Sequence, residues 1–218
     1  MAFAYPVFLE LAGRTCVVIG VTAVREGKVE GLVAAGASRV RVIAEGPEGT
    51  LADLESAHAP KVGIERRGWR PTDLDGAFLC VASSHDAATR SAIGREARLR
   101  GVLVNVMDDV PNCDWAAPAI VRRGDLAVAI STGGASPALA RKLREELQKR
   151  FGPEWEDIIR VLRRVRDETR SRLPNPSVRA RLWYEALDLR EAEELSRIGR
   201  LEELEDRLRT RLLQGASV

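Results

Sequence analysis

The chain has 218 residues, enough for one large α/β domain with smaller additions, and its net charge is +2 with 30% charged residues. This balance disfavours a nucleic-acid binder, whose affinity would need a strongly basic face. No apolar run reaches the length of a membrane span, and residues 1–6 lack the basic flank and apolar core of a signal peptide. We therefore expect a soluble cytoplasmic protein with neither membrane nor nucleic-acid partners.

The cysteines and histidines indicate no disulfide and no metal site formed by protein side chains. Cys16, Cys80 and Cys113 have no CxxC spacing, and the first two lie in apolar runs where a free thiol packs as a small hydrophobic group. His58 and His85 are the only histidines and are far apart in the chain, so they form no helical ligand pair.

The first half of the chain alternates short apolar runs with helical patterns. This alternation predicts a parallel sheet with right-handed crossovers, hence an α/β fold with a doubly wound, Rossmann-type sheet. The predicted strands are 15–20, 39–44, 62–66, 77–82 and 102–106, and the predicted helices are 23–35, 51–58 and 86–100.

The pattern changes after Asp108. The runs 117–121 and 126–131 predict a β-hairpin, and a helix is expected from Pro137 to about Arg150 with Ser136 as its N-cap. From Gly152 onward the sequence predicts helices rich in Arg and Glu, whose charges are expected to form a solvated surface.

The first turn lies where a dinucleotide fingerprint G-x-G-x-x-G would be expected. Only Gly20 of its three glycines is present, because Thr22 and Arg25 occupy the second and third positions. The turn therefore indicates either a phosphate site at the helix N-terminus or a structural strand-to-helix connection. Glu45, at the end of the second predicted strand, is placed to hold ribose hydroxyls or is an ordinary loop carboxylate.

Three other polar segments occupy positions where ligands bind in such folds. Ser83 and Ser84 follow a predicted strand, where they either contact a nicotinamide ribose or cap the next helix. Asp108 and Asp109 follow the last buried strand. We expect one of them to take part in the reaction and the other to be solvated or to cap a helix. The turn 132–136, TGGAS, is expected to bind a substrate carboxylate through its amides, or to be a structural glycine turn.

Taken together, these segments resemble a known family. The matching blocks are residues 6–20, Lys28–Val29, 35–37, 73–79, VLVNVMDD at 102–109 and, most specifically, PAI at 118–120 and STGGASPALAR at 131–141. These blocks look like precorrin-2 dehydrogenase. That enzyme is the dehydrogenase and ferrochelatase portion of sirohaem synthases. The resemblance covers residues 5–150, whereas the helical tail is similar only in kind.

The resemblance implies an NAD-dependent oxidation of precorrin-2 to sirohydrochlorin, with ferrous iron insertion in some members, by a homodimer. It implies a Rossmann-like NAD-binding domain over 1–112, a dimerisation and substrate-binding region over 113–150 and a helical C-terminal domain over 151–218. The catalytic residue falls on Asp108. Cofactor contacts fall on Gly20, Val21, Thr22, Ala23, Val24, Glu45, Gly46, Ser83 and Asn105.

The substrate is a tetrapyrrole rich in carboxylates, which suits basic side chains and free backbone amides. We expect Thr132, Gly133, Gly134, Ser136, Arg122 and Arg141 to bind it. Since the first turn departs from the glycine-rich pattern of the family, two other functions stay open: an NAD-independent sirohydrochlorin chelatase, and a non-enzymatic tetrapyrrole-binding homodimer.

Overall fold

The computed structural model describes residues 5–25, 27–46 and 48–214, with no side-chain detail at 48–50. Residues 1–4, part of the argument against a signal peptide, lie outside this range. The described chain forms two compact units, one up to Ala117 and one from Pro118. The division into three functional regions, 1–112, 113–150 and 151–218, stays a prediction.

The first unit is built on a five-stranded parallel sheet, which confirms the Rossmann-type fold expected from the sequence. The strand order is β3-β2-β1-β4-β5, so the chain reverses its winding direction between the two neighbours β1 and β4. Ligands bind at such a switch point, beyond the carboxyl ends of the strands. The strands are β1 Thr15–Ile19, β2 Arg39–Ile43, β3 Val62–Glu65, β4 Leu79–Ala82 and β5 Leu103–Val106.

Four helices connect these strands: α1 Val21–Arg25, α2 Lys28–Ala34, α3 Glu48–His58 and α4 Ala87–Leu99. The single helix predicted over 23–35 is wrong, because the structure has two. The amide of Gly27 closes α1 by donating to the carbonyl of Val24 at 3.0 Å, and Gly27 then adopts a φ of 71° that a helix interior does not allow. Glu26, which the predicted helix included, lies outside the described residues.

The core of this unit lies on both faces of the sheet. Val18, Val42 and Val81 pack on one face with residues of α2 and α3, including Val29 and Leu51. On the opposite face, strand residues such as Val17 and Val104 pack with Ile93 and Ala97 of α4. Cys16 and Cys80 are buried in these strands, as expected for small apolar side chains.

The second unit begins with an antiparallel hairpin and continues with helices. Its elements are β6 Ala119–Arg123, β7 Leu126–Ile130, α5 Pro137–Arg150, α6 Glu154–Thr169, α7 Pro176–Ala186, α8 Leu189–Arg197 and α9 Leu201–Gln214. Gly124 turns the hairpin with a φ of 53°. Trp155, Ile158 and Val165 of α6 pack against Leu204 and Leu208 of α9.

Candidate functional site

The turn between β1 and α1 requires glycine at its first position. Gly20 has a φ of 91°, and its amide donates to the carbonyl of Ile43 at 2.9 Å. A Cβ at this position would lie 2.2 Å from the carbonyl oxygen of Ser83 and 2.5 Å from its hydroxyl oxygen. Gly20 therefore lets the end of β1 approach the end of β4 more closely than any other residue would allow.

Ser83 joins two of the segments that the sequence assigned to the cofactor. Its hydroxyl accepts a hydrogen bond from the amide of Ala23 at 3.0 Å, and its own amide donates to Ile19 at 2.8 Å. The carboxylate of Asp86 caps α4 and accepts from the amide of Thr89 at 2.8 Å, while the hydroxyl of Ser84 accepts from the amide of Asp86 at 3.1 Å. Ser83 supports the first turn of α1 instead.

The residues that replace the second and third glycines do not crowd the interface between helix and sheet. Ala23 and Val24 are the buried residues of α1, whereas Arg25 is exposed and Thr22 is half-buried. The large side chain of Arg25 therefore extends into solvent, and the close helix packing that the third glycine normally permits is supplied by Ala23.

The carboxyl end of β2 reaches the same turn. A Cβ built on Gly46 would lie 2.7 Å from a methyl carbon of Val21, so the two residues, 25 positions apart, are in contact. Glu45 is exposed beside them. The structure thus brings Gly20, Val21, Gly46 and Ser83 together at the switch point and leaves the Glu45 carboxylate accessible, an arrangement that fits a bound dinucleotide.

Asp108 lies in a tight turn directly after β5. The amide of Asp109 donates to the carbonyl of Val106 at 3.1 Å, and Asp108 has a φ of 59°. Among the described residues it is the one non-glycine residue with a positive φ, a conformation that aspartate tolerates better than most residues. Its side chain is exposed and makes no hydrogen bond or ion pair within the described part of the chain.

Asp109 has a different environment. Its carboxylate accepts from the Asn112 side chain at 3.1 Å and from Nε of Arg90 at 2.9 Å. The hydrogen bond from Asn112 and the guanidinium of Arg90 together hold the pKa of Asp109 below its usual value. Of the two adjacent aspartates, the structure thus leaves Asp108 accessible for chemistry and engages Asp109 in structural contacts.

Asn105, assigned to the cofactor, uses its side-chain amide within the protein. Nδ2 donates to the carbonyl of Trp115 at 2.8 Å. The nearby thiol of Cys113 contacts the amide of Val106 at 3.2 Å and its carbonyl at 3.0 Å, and burial raises the pKa of this thiol. Asn105 and Cys113 therefore tie the end of β5 to the segment that follows it.

A cleft of about 230 Å³ opens beside this segment. Lys28, at the start of α2, lines it together with Asp108, so a cationic group and a free carboxylate share one cavity. Lys28 belongs to one of the blocks that carry the family resemblance, but no role was expected for it. The other lining residues are Asn105, Val106, Met107, Asp109, Val110, Cys113, Ala116 and Ala117.

The glycine turn belongs to the second unit. The hydroxyl of Thr132 donates to the carbonyl of Ser136 and accepts from its amide, both at 3.2 Å, while Ser136 caps α5 by accepting from Leu139 at 3.1 Å. The amide of Gly133 donates to the hydroxyl of Ser131 at 3.2 Å. Gly134 has a φ of 84°, and its amide has no partner within the described residues, so it is available to an anion.

The two arginines assigned to the substrate lie on the surface of the second unit. Arg122 is exposed on β6. Arg141 is 75% exposed and forms an ion pair with Glu145 at 3.1 Å, one helical turn away. An exposed pair of this kind is weak, so Arg141 can exchange Glu145 for a carboxylate of a ligand.

The described residues show no membrane-spanning helix, since none of these helices is long and apolar enough. Nor do three or more His, Cys, Asp or Glu side chains among them come close enough to hold a metal ion.

Comparisons with known proteins agree with this architecture. Residues 7–119, just over half of the chain, match a family described as putative NAD(P)-binding, and residues 123–150 match the sirohaem biosynthesis protein central family. A solved structure named "SirC, precorrin-2 dehydrogenase" has the same fold, with a TM-score of 0.62 and 23% identity over 99% of this chain and 100% of that one.

Two curated relatives are named as siroheme synthases. A "Siroheme synthase" from Methylococcus capsulatus is 34% identical over 92% of this chain, and a "Siroheme synthase 1" from Yersinia enterocolitica is 35% identical over 95%. The chain spans only 41% and 43% of these relatives. The chain belongs to the putative NAD(P)-binding family and carries the sirohaem biosynthesis central segment after it, which confirms the resemblance to the precorrin-2 dehydrogenase portion of sirohaem synthases.

Proposed function

We propose that this protein oxidises precorrin-2 to sirohydrochlorin, with NAD as the hydride acceptor. The observation that carries the proposal is Asp108, an accessible carboxylate without a partner among the described residues, at the carboxyl edge of a sheet whose family is described as putative NAD(P)-binding. The amide of Met107, next to Asp108, donates to Ala82 at 2.8 Å, directly before Ser83. The candidate base is thus anchored beside the candidate cofactor loop.

The reaction needs one hydride acceptor and one proton acceptor. NAD, when bound, accepts the hydride and becomes NADH. Asp108 takes the proton that the macrocycle loses, and both of its oxygens are free to do so because no described residue bonds to them. Lys28 lines the same cleft and places a cationic side chain there.

The residues at the switch point would hold NAD. The turn Gly20–Val24 would receive the pyrophosphate, and Glu45 would accept hydrogen bonds from the ribose hydroxyls, which favours NAD over a cofactor with a phosphate at that ribose. Gly46, Ser83 and Asn105 would complete the contacts.

The carboxylates of the tetrapyrrole would bind the second unit. The free amide of Gly134 and the exposed guanidinium of Arg122 are available donors, and Arg141 becomes one when it releases Glu145. Thr132, Gly133 and Ser136 would shape this turn, since their hydrogen bonds to one another and to Ser131 fix the position of the Gly134 amide.

The test is NADH formation from precorrin-2 by the purified protein. Asp108→Asn keeps a side chain that tolerates positive φ but cannot accept the proton, so we expect kcat to fall by about 10²–10⁴-fold with unchanged thermal stability. Asp53→Asn removes an exposed carboxylate on α3 and should have no effect. An active wild type with an equally active Asp108→Asn variant would contradict the role of Asp108, and an inactive wild type would contradict the dehydrogenase itself.

We also propose that the protein is a homodimer through the hairpin and α5. This helix of 14 residues buries none of its side chains within the chain, and a two-stranded hairpin is marginally stable by itself. Ile120, Leu139 and Leu143 are 40%, 48% and 41% exposed on these elements. A second copy of the chain would cover this apolar surface.

Sedimentation of the double variant Leu139→Glu/Leu143→Glu tests the dimer. Charged side chains in a buried interface are strongly unfavourable, so we expect the variant to sediment as a monomer. Leu99→Glu on α4, where the leucine is 73% exposed, is the control and should sediment like the wild type. A double variant that remains dimeric would exclude this surface as the interface.

Insertion of ferrous iron into sirohydrochlorin is a second activity that the same carboxylate can support. Insertion releases two pyrrole protons and forms sirohaem, and Asp108 is the unpaired base in its cleft. Iron is here a substrate rather than a resident cofactor. Loss of both activities in Asp108→Asn would indicate one shared base, whereas loss of oxidation alone would separate the two steps.

The three cysteines are consistent with a reducing compartment. Cys16, Cys80 and Cys113 are all free thiols. Because structural disulfides are rare in the cytoplasm, we propose that the reaction takes place there.

A further inference from the structure

Arg90 of α4 connects two segments of the proposed site. Its NH1 donates to the carbonyls of Ser84 at 3.0 Å and His85 at 3.1 Å, directly after the candidate cofactor residue Ser83. Its Nε donates to the carboxylate of Asp109 at 2.9 Å, directly after the candidate base Asp108. The Arg90 side chain is only 25% exposed and that of Asp109 only 14%, so solvent screens this ion pair weakly.

The turn that presents Asp108 depends on contacts made by its neighbours. Asp108 itself has no contact to hold its side chain, and its positive φ is less favourable than an extended conformation. Asp109 closes the turn through its amide, and its carboxylate is fixed by Arg90 and Asn112. Release of Asp109 would therefore let the turn relax.

We propose that Arg90 is a positioning residue, which holds the Asp108 turn and the Ser83–His85 loop in one fixed arrangement. The inference rests on the proposed function, since it concerns the distance between base and cofactor. Only a guanidinium provides the fork of donors that reaches two carbonyls and a carboxylate at once, so lysine is not an equivalent replacement. A displacement of about 1 Å at a reacting centre can lower a rate by about a hundredfold.

The kinetic test distinguishes the contact of Arg90 with Asp109 from its contacts with Ser84 and His85. Arg90→Met removes all of its polar contacts, so kcat should fall by about ten- to a hundredfold and KM for NAD should rise. Asp109→Ala removes the carboxylate that Arg90 and Asn112 hold but leaves the hydrogen bonds from Arg90 to Ser84 and His85, so kcat should fall while KM for NAD stays unchanged. In the double variant the two losses of kcat should combine less than additively, because both single variants break the same ion pair.

Two further variants serve as comparisons. Arg95→Met removes another arginine of α4, whose side chain is 67% exposed and whose ion pair with Glu96 is long, at 3.6 Å. This variant should behave like the wild type. Arg90→Lys keeps the charge without the fork, and its kcat should lie closer to that of Arg90→Met than to the wild type. If Arg90→Met has the kcat and KM of Arg95→Met, the inference is wrong.

A crystal structure of Arg90→Met gives a readout that does not depend on activity. The turn 106–109 should lose the hydrogen bond from Asp109 to Val106 and the positive φ of Asp108, whereas Arg95→Met should retain both. A turn that is unchanged in Arg90→Met would overturn the inference even if the wild type forms no NADH. An inactive wild type with a displaced turn would contradict the proposed function and support the positioning role.

Discussion

Comparison of Gly20→Ala with Gly36→Ala separates two reasons why a position requires glycine: a positive φ and the lack of space for a Cβ. Gly20 and Gly36 share a φ of 91°, but a Cβ would lie 2.2 Å from the Ser83 carbonyl at position 20 and would meet nothing within 4 Å at position 36. Gly36→Ala therefore measures the backbone conformation alone, which costs about 1–2 kcal/mol for a residue with a Cβ. Any change in the entropy of the unfolded chain is the same in both variants.

The difference between the two variants then measures the clash. Ser83 cannot move freely, because its amide and hydroxyl hold Ile19 and Ala23. Forced overpacking of this kind costs about 1–3 kcal/mol, so Gly20→Ala should lower the free energy of unfolding by that amount more than Gly36→Ala does. For a chain of this length, each kcal/mol corresponds to about 2–4 °C in Tm.

Differential scanning calorimetry of both variants and the wild type is the assay, with NAD titration by calorimetry as a second measurement. NAD should bind Gly20→Ala more weakly than Gly36→Ala, because only the first variant displaces Ser83 and the first turn of α1. Equal Tm values for the two variants would refute the reasoning that Gly20 exists to allow this close approach.

Two other predictions concern stability. Asp73→Asn should lower the free energy of unfolding by about 1.5–3 kcal/mol, because Asp73 is 2% exposed and accepts from NH1 and NH2 of Arg67 at 2.9 and 2.6 Å, while Arg67 keeps its ion pair with Glu65. The hydrogen bond from Arg67 lowers the pKa of Asp73, so its stabilisation is complete above the carboxyl pKa of the unfolded chain, about 4, and is lost as pH falls through the lower folded value. Urea unfolding between pH 7 and pH 3 should therefore show a smaller loss of stability in Asp73→Asn than in the wild type, and parallel losses would contradict this account. Ser136→Ala should lower the free energy of unfolding by about 1 kcal/mol, because the hydrogen bond from the amide of Leu139 to the Ser136 hydroxyl is lost. Ser136→Thr keeps a hydroxyl and should retain most of this stability. Thermal unfolding of the two variants measures the difference.

Much of the fold follows from local sequence signals. The apolar runs predicted all five parallel strands to within two or three residues at each end, because a strand buried on both faces needs a continuous apolar segment. Pro137 and Arg150 bound α5 as expected, since proline favours a first helical turn and serine is a good cap. The same signals could not show that α1 ends before Gly27, because glycine inside a helical pattern only weakly indicates a break.

The sequence alone thus determined the sheet, the hairpin, the family and the segments in which a site would lie. Only the tertiary structure decided how those segments meet. Ser83 supports Ala23 from 60 residues away, and Arg90 holds Asp109 from 19 residues away. Such pairs depend on which strands are neighbours and on where each side chain extends, and no local periodicity encodes either. For the same reason the residue pattern left Asp108 and Asp109 equivalent, and only the family resemblance indicated Asp108. The structure gives partners to Asp109 and leaves Asp108 accessible.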